Sequence, residues 1–341
     1  MNYIFELNHP KHYHQFKHVI KMLKSSNNVI VIAREKEILW KLLNENGIEY
    51  MKFSHSKSSN IFVKFLYYLK NLTRFLRIAK QSKANFFISK ASINTVFVKL
   101  FVRKCKAYIF PDSEVVWLTN RVVVKFADKV FTPEIFERDF GKKHIRVPGI
   151  FENSYLSPLY SSIVPIDLSE KGYNTDQKTV FLRFVGWKAN HDFKHFGFSH
   201  SQKEELVNLF HKHSFNILIS SEAKLSEELL EFQCPYPASM VHSVLKACNY
   251  YVGDSQTMAS ESALLGLKSY RFNSFVGEND MANFKYLENK RRLRNYNNFS
   301  QLIRSLENEI VGSSKFFSEI GSYWEESVDQ NQFILELITS H

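Results

Sequence analysis

Apolar positions in this chain fall into short runs separated by helical stripes. In the first half the runs are YIFEL (3–7), NVIVIA (28–33), EYMKF (49–53), NFFIS (85–89), AYIF (107–110) and KVFT (129–132). Helical spacing fills 11–24, 35–46, 61–80, 91–102 and 115–126 between them. A second series has strands TVFLRFV (179–185), NILIS (216–220), YYVG (250–253) and KSYRF (268–272). Its helices are expected near 201–213, 238–247, 256–265, 279–290, 299–310 and 323–339. Strands that alternate with helices predict parallel sheets joined by crossover helices, so the fold class is α/β with two doubly wound parallel-sheet domains. Such domains bind ligands at the carboxyl ends of their strands, here in a cleft between the two sheets. Residues 151–177 lose the periodicity and collect Pro, Ser and Tyr, which reads as the interdomain connection. The expected domains are 1–150 and 178–341, with the last helix free to pack back on the first.

At 341 residues the chain is long for one core, in keeping with two domains. It lacks any run of about 18 uncharged apolar residues, so no membrane-spanning helix is expected. Its first residues show no basic segment followed by an apolar run, and no secretory signal is expected. Three scattered cysteines (Cys105, Cys234, Cys248) form no CxxC and fit a reducing cytoplasm.

Charge changes the picture further. The chain carries +11, but residues 51–111 contain thirteen Lys and Arg and no Asp or Glu, which leaves −2 for the rest. Within that window, 61–80 reads as a helix with Phe62, Phe65, Leu66, Leu69, Leu72, Leu76 and Ala79 in one stripe. Lys70, Arg74 and Arg77 fall on another face, with Tyr67 and Phe75 between them. A basic, aromatic, amphipathic helix suits an anionic bilayer surface; a core-facing stripe with a solvated back is the alternative. Nucleic acid is not expected as a partner, because RNP, zinc-finger and KH patterns are all missing.

No glycine precedes Gly47, so the first strand lacks the GxGxxG fingerprint of dinucleotide binding. There is no P-loop and no DxD. The strongest motif is YYVGDSQTMASESALLG (250–266): a buried strand ends at Gly253, a turn holds Asp254 and Ser255, and a helix follows. Unpaired amides at such a helix start suit a phosphate or diphosphate. Ser255 and Thr257 add hydroxyls, and Glu261 lies where a carboxylate can accept from ribose hydroxyls. The alternative is a capping turn followed by a solvated Glu261.

The order strand, Asp-Ser, helix, Glu resembles the sugar-nucleotide site of the two-domain GT-B superfamily. That group includes the UDP-N-acetylglucosamine 2-epimerases and the lipid-linked muramyl-peptide N-acetylglucosaminyltransferase. PDSEVVWLTNRVVVKFADKVFTP (111–133) is similar to a stretch of that transferase. The whole chain resembles a prokaryotic GT-B-like family, through HPKHYHQFK (9–17), TPEIFERDFGKKHIRVPG (132–149), LRFVGWKANHD (182–192), GDSQTMASESALLG (253–266) and NSFVGENDM (273–281). The resemblance implies a GT-B fold and a sugar-nucleotide ligand. Ser255 and the amides of Gln256 and Thr257 would hold the diphosphate, and Glu261 the ribose. The superfamily often has Gly-Gly where this chain has Gln256-Thr257, whose side chains narrow the approach.

Around that site, Arg183 and His191 flank the loop after the second domain's first strand and are candidate clamps for an anionic leaving group. A surface salt bridge is the other reading of Arg183. On the opposite side, His12 or His14, after the first strand, is a candidate base toward an acceptor hydroxyl, a role worth roughly 10²–10⁴-fold. Asp112 and Glu114 are further catalytic candidates, or helix caps. Asn273, Ser274 and Asp280 are candidate contacts to acceptor or sugar. No metal site is expected and no cofactor is implied.

The expected activity is a metal-independent glycosyltransferase in surface polysaccharide synthesis. It would move a sugar from a nucleotide-diphosphate donor, with a UDP-sugar favoured, to a glycan or lipid-linked acceptor. The expected location is cytoplasmic, peripheral at the inner face of the plasma membrane, with residues 51–111 on the anionic surface. The alternatives are a UDP-sugar 2-epimerase, hydrolysing or not, and a non-catalytic sugar-nucleotide-binding protein.

Overall fold

The computed structural model describes residues 1–53, 58, 60–112, 119–186, 196–277 and 280–340. The chain divides into two compact units, Met1–Tyr155 with Val328–His341, and Leu156–Ser327.

The first unit holds β1 (Asn2–Leu7), α1 (Pro10–Lys24), β2 (Asn28–Arg34), α2 (Glu37–Glu45), β3 (Met51–Phe53), α3 (Ile61–Gln81), β4 (Phe86–Ser89), α4 (Asn94–Phe101), β5 (Lys106–Ile109), a π turn (Thr119–Val123), α5 (Val124–Phe126), β6 (Lys129–Pro133) and β7 (His144–Val147). α6 (Asn153–Leu156) closes it. The second unit holds β8 (Thr179–Phe184), α7 (His200–Lys212), β9 (Asn216–Ser221), α8 (Glu227–Leu230), α9 (Val241–Lys246), β10 (Tyr250–Gly253), α10 (Gln256–Leu264), β11 (Lys268–Phe272), α11 (Ala282–Asn289), β12 (Leu293–Tyr296), α12 (Phe299–Ile310) and α13 (Ile320–Glu325). The chain then returns to the first unit as α14 (Gln330–Thr339).

Both sheets are parallel. Their strand orders are β3-β2-β1-β4-β5-β6-β7 and β12-β11-β10-β8-β9. The inner strands are buried end to end, β10 over all four residues and β1 over five of six, as expected where helices cover both faces. In each sheet the winding direction reverses once, between β1 and β4 and between β8 and β10. The helices leaving those strands diverge to opposite faces, which opens a crevice at the carboxyl ends.

Sequence pattern and structure differ in five places. β7 (HIRV) and β12 (LRNY) were not visible as strands; both are edge strands, half-exposed and without a continuous apolar run. The helix expected at 323–339 is two helices, broken where Asp329 caps α14 by accepting from Gln332 N at 3.0 Å. Of the helix expected at 115–126, residues 115–118 lie outside the described residues, and 119–126 are the π turn with α5. Finally, the core-facing line of α3 keeps Leu72, Leu76 and Ala79 of the stripe drawn from spacing but is completed by Tyr68 and Phe75 rather than by its N-terminal members. Phe62, Phe65, Leu66 and Leu69 are exposed, whereas Phe75, expected on the basic face, is buried.

α14 is tied into the first unit: Ile334 and Ile338 pack with Tyr13, Phe16 and Leu23, and Gln330 Nε2 donates to the carbonyls of Pro148 (2.7 Å) and Ile150 (3.0 Å). Among the described residues no helix is long and apolar enough to cross a membrane.

Candidate functional site

In the second unit the crevice between β8 and β10 gathers most of the expected binding residues. Gly253 ends β10 directly opposite Arg183 of β8. A Cβ on Gly253 would collide with the Tyr251 hydroxyl and meet Arg183 Cβ at 3.0 Å, so only glycine lets the two strand ends close up. Tyr251 Oη donates to the Ser255 carbonyl (3.3 Å), bracing the turn from beneath.

Ser255 is the N-cap of α10, its Oγ accepting from Met258 N at 3.4 Å. As in any helix, the amides of Gln256 and Thr257 have no intrahelical acceptor, and the macrodipole adds partial positive charge there. Gln256 is half-buried and Thr257 exposed. Asp254 does not cap the helix. It is buried, and its carboxylate accepts from Val185 N (2.7 Å) and Phe198 N (3.3 Å). It thus ties together the residues on either side of 187–195, a stretch outside the described residues that includes His191.

Arg183 is 16% exposed and makes the salt bridge considered for it: Nη2 donates to Glu222 Oε1 at 2.6 Å, and Nη1 donates to Ser220 Oγ at 2.8 Å. Glu222 Oε2 also accepts from Gly186 N at 3.2 Å. Glu261 is not a solvated helix residue. It is 7% exposed in α10, with His242 Nε2 3.4 Å from Oε1. Beside β8 and β9 lies a cavity of ≈ 370 Å³ lined by Phe181, Ile219, Cys234, Tyr236, Val241 and Val244. Ser220, the partner of Arg183, also lines it, and Val241 adjoins His242. No sequence pattern marked this cavity as a whole, because its walls come from β8, β9 and the segment leading into α9.

The residues after β11 are largely committed internally. Asn273 is fully buried; its amide donates to the Asp254 carbonyl (3.3 Å) and accepts from Phe275 N (3.0 Å). Asp280 pairs with the fully buried Arg271, which also lies 3.5 Å over the Phe284 ring. Ser274 Oγ accepts from Phe196 N (2.8 Å).

The first unit has its own polar cluster at the β1/β4 reversal. Lys11 Nζ lies 3.1 Å from Asp112 and 3.2 Å from Glu152, and Lys90 Nζ lies 3.0 Å from Asp112. Lys90 also donates to Gln15 Oε1 (2.7 Å) and sits 4.3 Å over the Phe151 ring. Burial pulls the Lys90 ammonium down to about 8 against the opposing pull of Asp112. Burial alone would raise the Asp112 carboxyl, but Lys90 and Lys11 hold it well below the usual range. A carboxylate held so firmly ionised is a weak base, so the catalytic role expected of Asp112 does not fit this geometry.

The same holds for His12. Its Nδ1 accepts from Asn8 N at 3.1 Å, so the neutral ring carries its proton on Nε2 and presents a donor, not a base. Burial and nearby Lys90 push its pKa down to about 3, keeping it neutral. His14 packs between the rings of Tyr13 and Tyr155. Glu114 lies outside the described residues. Sequence reasoning missed Lys11, Lys90 and Glu152; for Lys90 the available signal was its place directly after the buried strand β4.

Comparison with known proteins agrees with this architecture. A family model described as "Protein of unknown function (DUF354)" matches residues 2–315, which places the chain in that family. No curated protein matches it by sequence. Among solved structures, the UDP-GlcNAc 2-epimerase of Neisseria meningitidis bound to UDP-GlcNAc is similar at TM-score 0.66 and 11% identity, covering 100% of both chains. The spinosyn rhamnosyltransferase SpnG is similar at TM-score 0.64 and 11% identity, covering 99% of this chain and 100% of that one. MurG of Acinetobacter baumannii is similar at TM-score 0.60 and 14% identity, again over 100% of both. At these identities the likeness shows the fold, which is GT-B.

Proposed function

We propose, for a chain that belongs to the DUF354 family and carries the GT-B fold, that it is a glycosyltransferase using a nucleotide-diphosphate sugar. The carrying observation is the β8/β10 crevice, where the start of α10, the close-packed Gly253 turn and Arg183 meet. The diphosphate lies against the amides of Gln256 and Thr257 and the Ser255 hydroxyl. Glu261 accepts from the ribose, and the base enters the neighbouring cavity. Similarity to a structure bound to UDP-GlcNAc supports UDP-sugars as the first donors to test. As the glycosidic bond breaks, charge grows on the departing diphosphate. Fixed amides and a guanidinium stabilise that charge without reorganising, so the reading requires no metal ion.

The test is calorimetric titration with UDP. Replacing Ser255 and Glu261 together by alanine is expected to weaken binding roughly 10²–10⁴-fold, because hydrogen bonds to charged groups contribute about 1.5–3 kcal/mol each. Affinity unchanged in a double variant of native melting temperature overturns the reading. Product analysis separates the two reactions: acceptor-dependent transfer marks the transferase, and solvent deuterium at sugar C2 marks an epimerase.

The acceptor is a glycan or lipid-linked substrate at the inner face of the plasma membrane, and α3 is the membrane-facing element. Its first turns expose Ile61 (79%), Phe62 (73%), Phe65 and Leu66, with Lys64 and Lys70 among them and Arg74 and Arg77 following. Sedimentation with vesicles is expected to show binding to anionic but not zwitterionic lipid. Changing Lys70, Arg74 and Arg77 to Gln should weaken it about 100-fold, at ~1 kcal/mol per cation. Equal binding to both lipids refutes the membrane role of α3.

A further inference from the structure

The donor reading above leaves Glu222 unexplained. Its carboxylate bridges two donors from different segments, Arg183 Nη2 (2.6 Å) and Gly186 N (3.2 Å). A guanidinium beside a backbone amide at a strand's carboxyl end is also what a phosphate group takes. The two groups cannot accept from the same hydrogens at once. Stability does not account for Glu222, since a half-exposed ion pair contributes little.

The two partners differ in how they are held. Arg183 is fixed by Ser220 and by the close Gly253 backbone, and its buried Nε finds no acceptor among the described residues. The Glu222 side chain is 48% exposed, while its backbone amide is anchored to the Phe184 carbonyl at 3.0 Å. The carboxylate can therefore swing into water while Arg183 stays in place.

We infer that Glu222 is an internal competitor for the donor's phosphate: a carboxylate that holds Arg183 and the Gly186 amide until a nucleoside diphosphate displaces it. This rests on the donor site proposed above. The consequence is selectivity. A single phosphate must displace Glu222 for the sake of Arg183 and the Gly186 amide alone. A nucleoside diphosphate also gains the α10 amides, Glu261 and the base cavity. Glu222 thus screens out inorganic phosphate while admitting the donor. If the carboxylate holds its partners about nine-tenths of the time, apparent affinity is lowered about tenfold.

The experiment is a double-mutant cycle read by calorimetry with UDP and with inorganic phosphate. Glu222→Gln keeps the size and one acceptor but removes the charge. It is expected to tighten UDP binding about tenfold and to make phosphate binding measurable. In an Arg183→Ala background the same change should alter UDP affinity less than twofold. Two results overturn the inference: Glu222→Gln binding UDP no more tightly than the unaltered protein, or a tenfold gain that persists without Arg183, which marks general charge repulsion. Melting temperatures of all variants guard against misfolding, and Glu222→Ala gives the same reading should the Gln amide re-bridge the site. If UDP, GDP and dTDP all fail to bind the unaltered protein and every variant, the donor reading fails together with this one. That outcome is distinct from UDP binding to the unaltered protein with no gain from Glu222→Gln.

Discussion

Arg183→Ala is expected to lower kcat for the proposed sugar transfer by about 10²–10³-fold, the usual cost of losing one preorganised donor to a charge that grows in the transition state. Arg183 is the strongest candidate for this effect in the second unit. It lies at the winding reversal, is nearly buried, is clamped by Ser220, and its neighbour Gly253 admits no side chain. The substitution should leave the fold intact, because its ion pair with Glu222 is half in water. Arg183→Lys should recover only a small part of the rate, since an ammonium supplies the charge without the planar fork. Initial rates with a donor found by thermal-shift screening check this. A kcat within about threefold of the unaltered protein removes Arg183 from the chemistry.

Asp280→Asn is expected to destabilise the second unit by roughly 3–5 kcal/mol, because it leaves the Arg271 charge buried without its counter-ion. Arg271 sits in β11 with no exposed surface, pressed on the Phe284 ring, and two of its nitrogens find no acceptor among the described residues. Burial lowers the Arg271 pKa and raises that of Asp280, and the pairing opposes both shifts. The pair is thus expensive to bury, and losing one member costs more than the pair contributes. For a unit of this size the melting temperature should fall by roughly 6–20 °C. Calorimetry of the intact chain reads this as a shift of one transition. A fall under about 2 °C shows that water or Glu288, whose carboxylate also acts on the Arg271 charge, compensates the cation. Asp280, a candidate sugar contact from sequence, would then be free for that role.

Much of this fold was legible in the chain. Buried parallel strands are continuous apolar runs, and YYVG and KSYRF were located to the residue because both faces are covered. The edge strands HIRV and LRNY escaped for the converse reason. At the site, the DSQT turn was legible because capping is local: Ser255 reaches only three residues forward. The roles of His12 and Asp112 were not. Whether an imidazole is a base or a donor depends on one backbone amide, and whether a carboxylate is basic depends on which lysines face it.

What the sequence by itself determined is therefore the alternation of strands and helices, the turn at Asp254 and Ser255 that opens a helix, and the concentration of positive charge in 51–111. These follow from hydrophobic period and side-chain chemistry over a few neighbouring residues. Tertiary structure alone decided that Arg183 meets Glu222, that Lys11 and Lys90 converge on Asp112, that Glu261 is buried beside His242, and that the first turns of α3 face outward. Lys11 and Asp112 are a hundred residues apart, and only the order of strands in the sheet brings them within 3.1 Å. Periodicity specifies which face of an element is apolar, but which charges end up adjacent depends on how the elements stack.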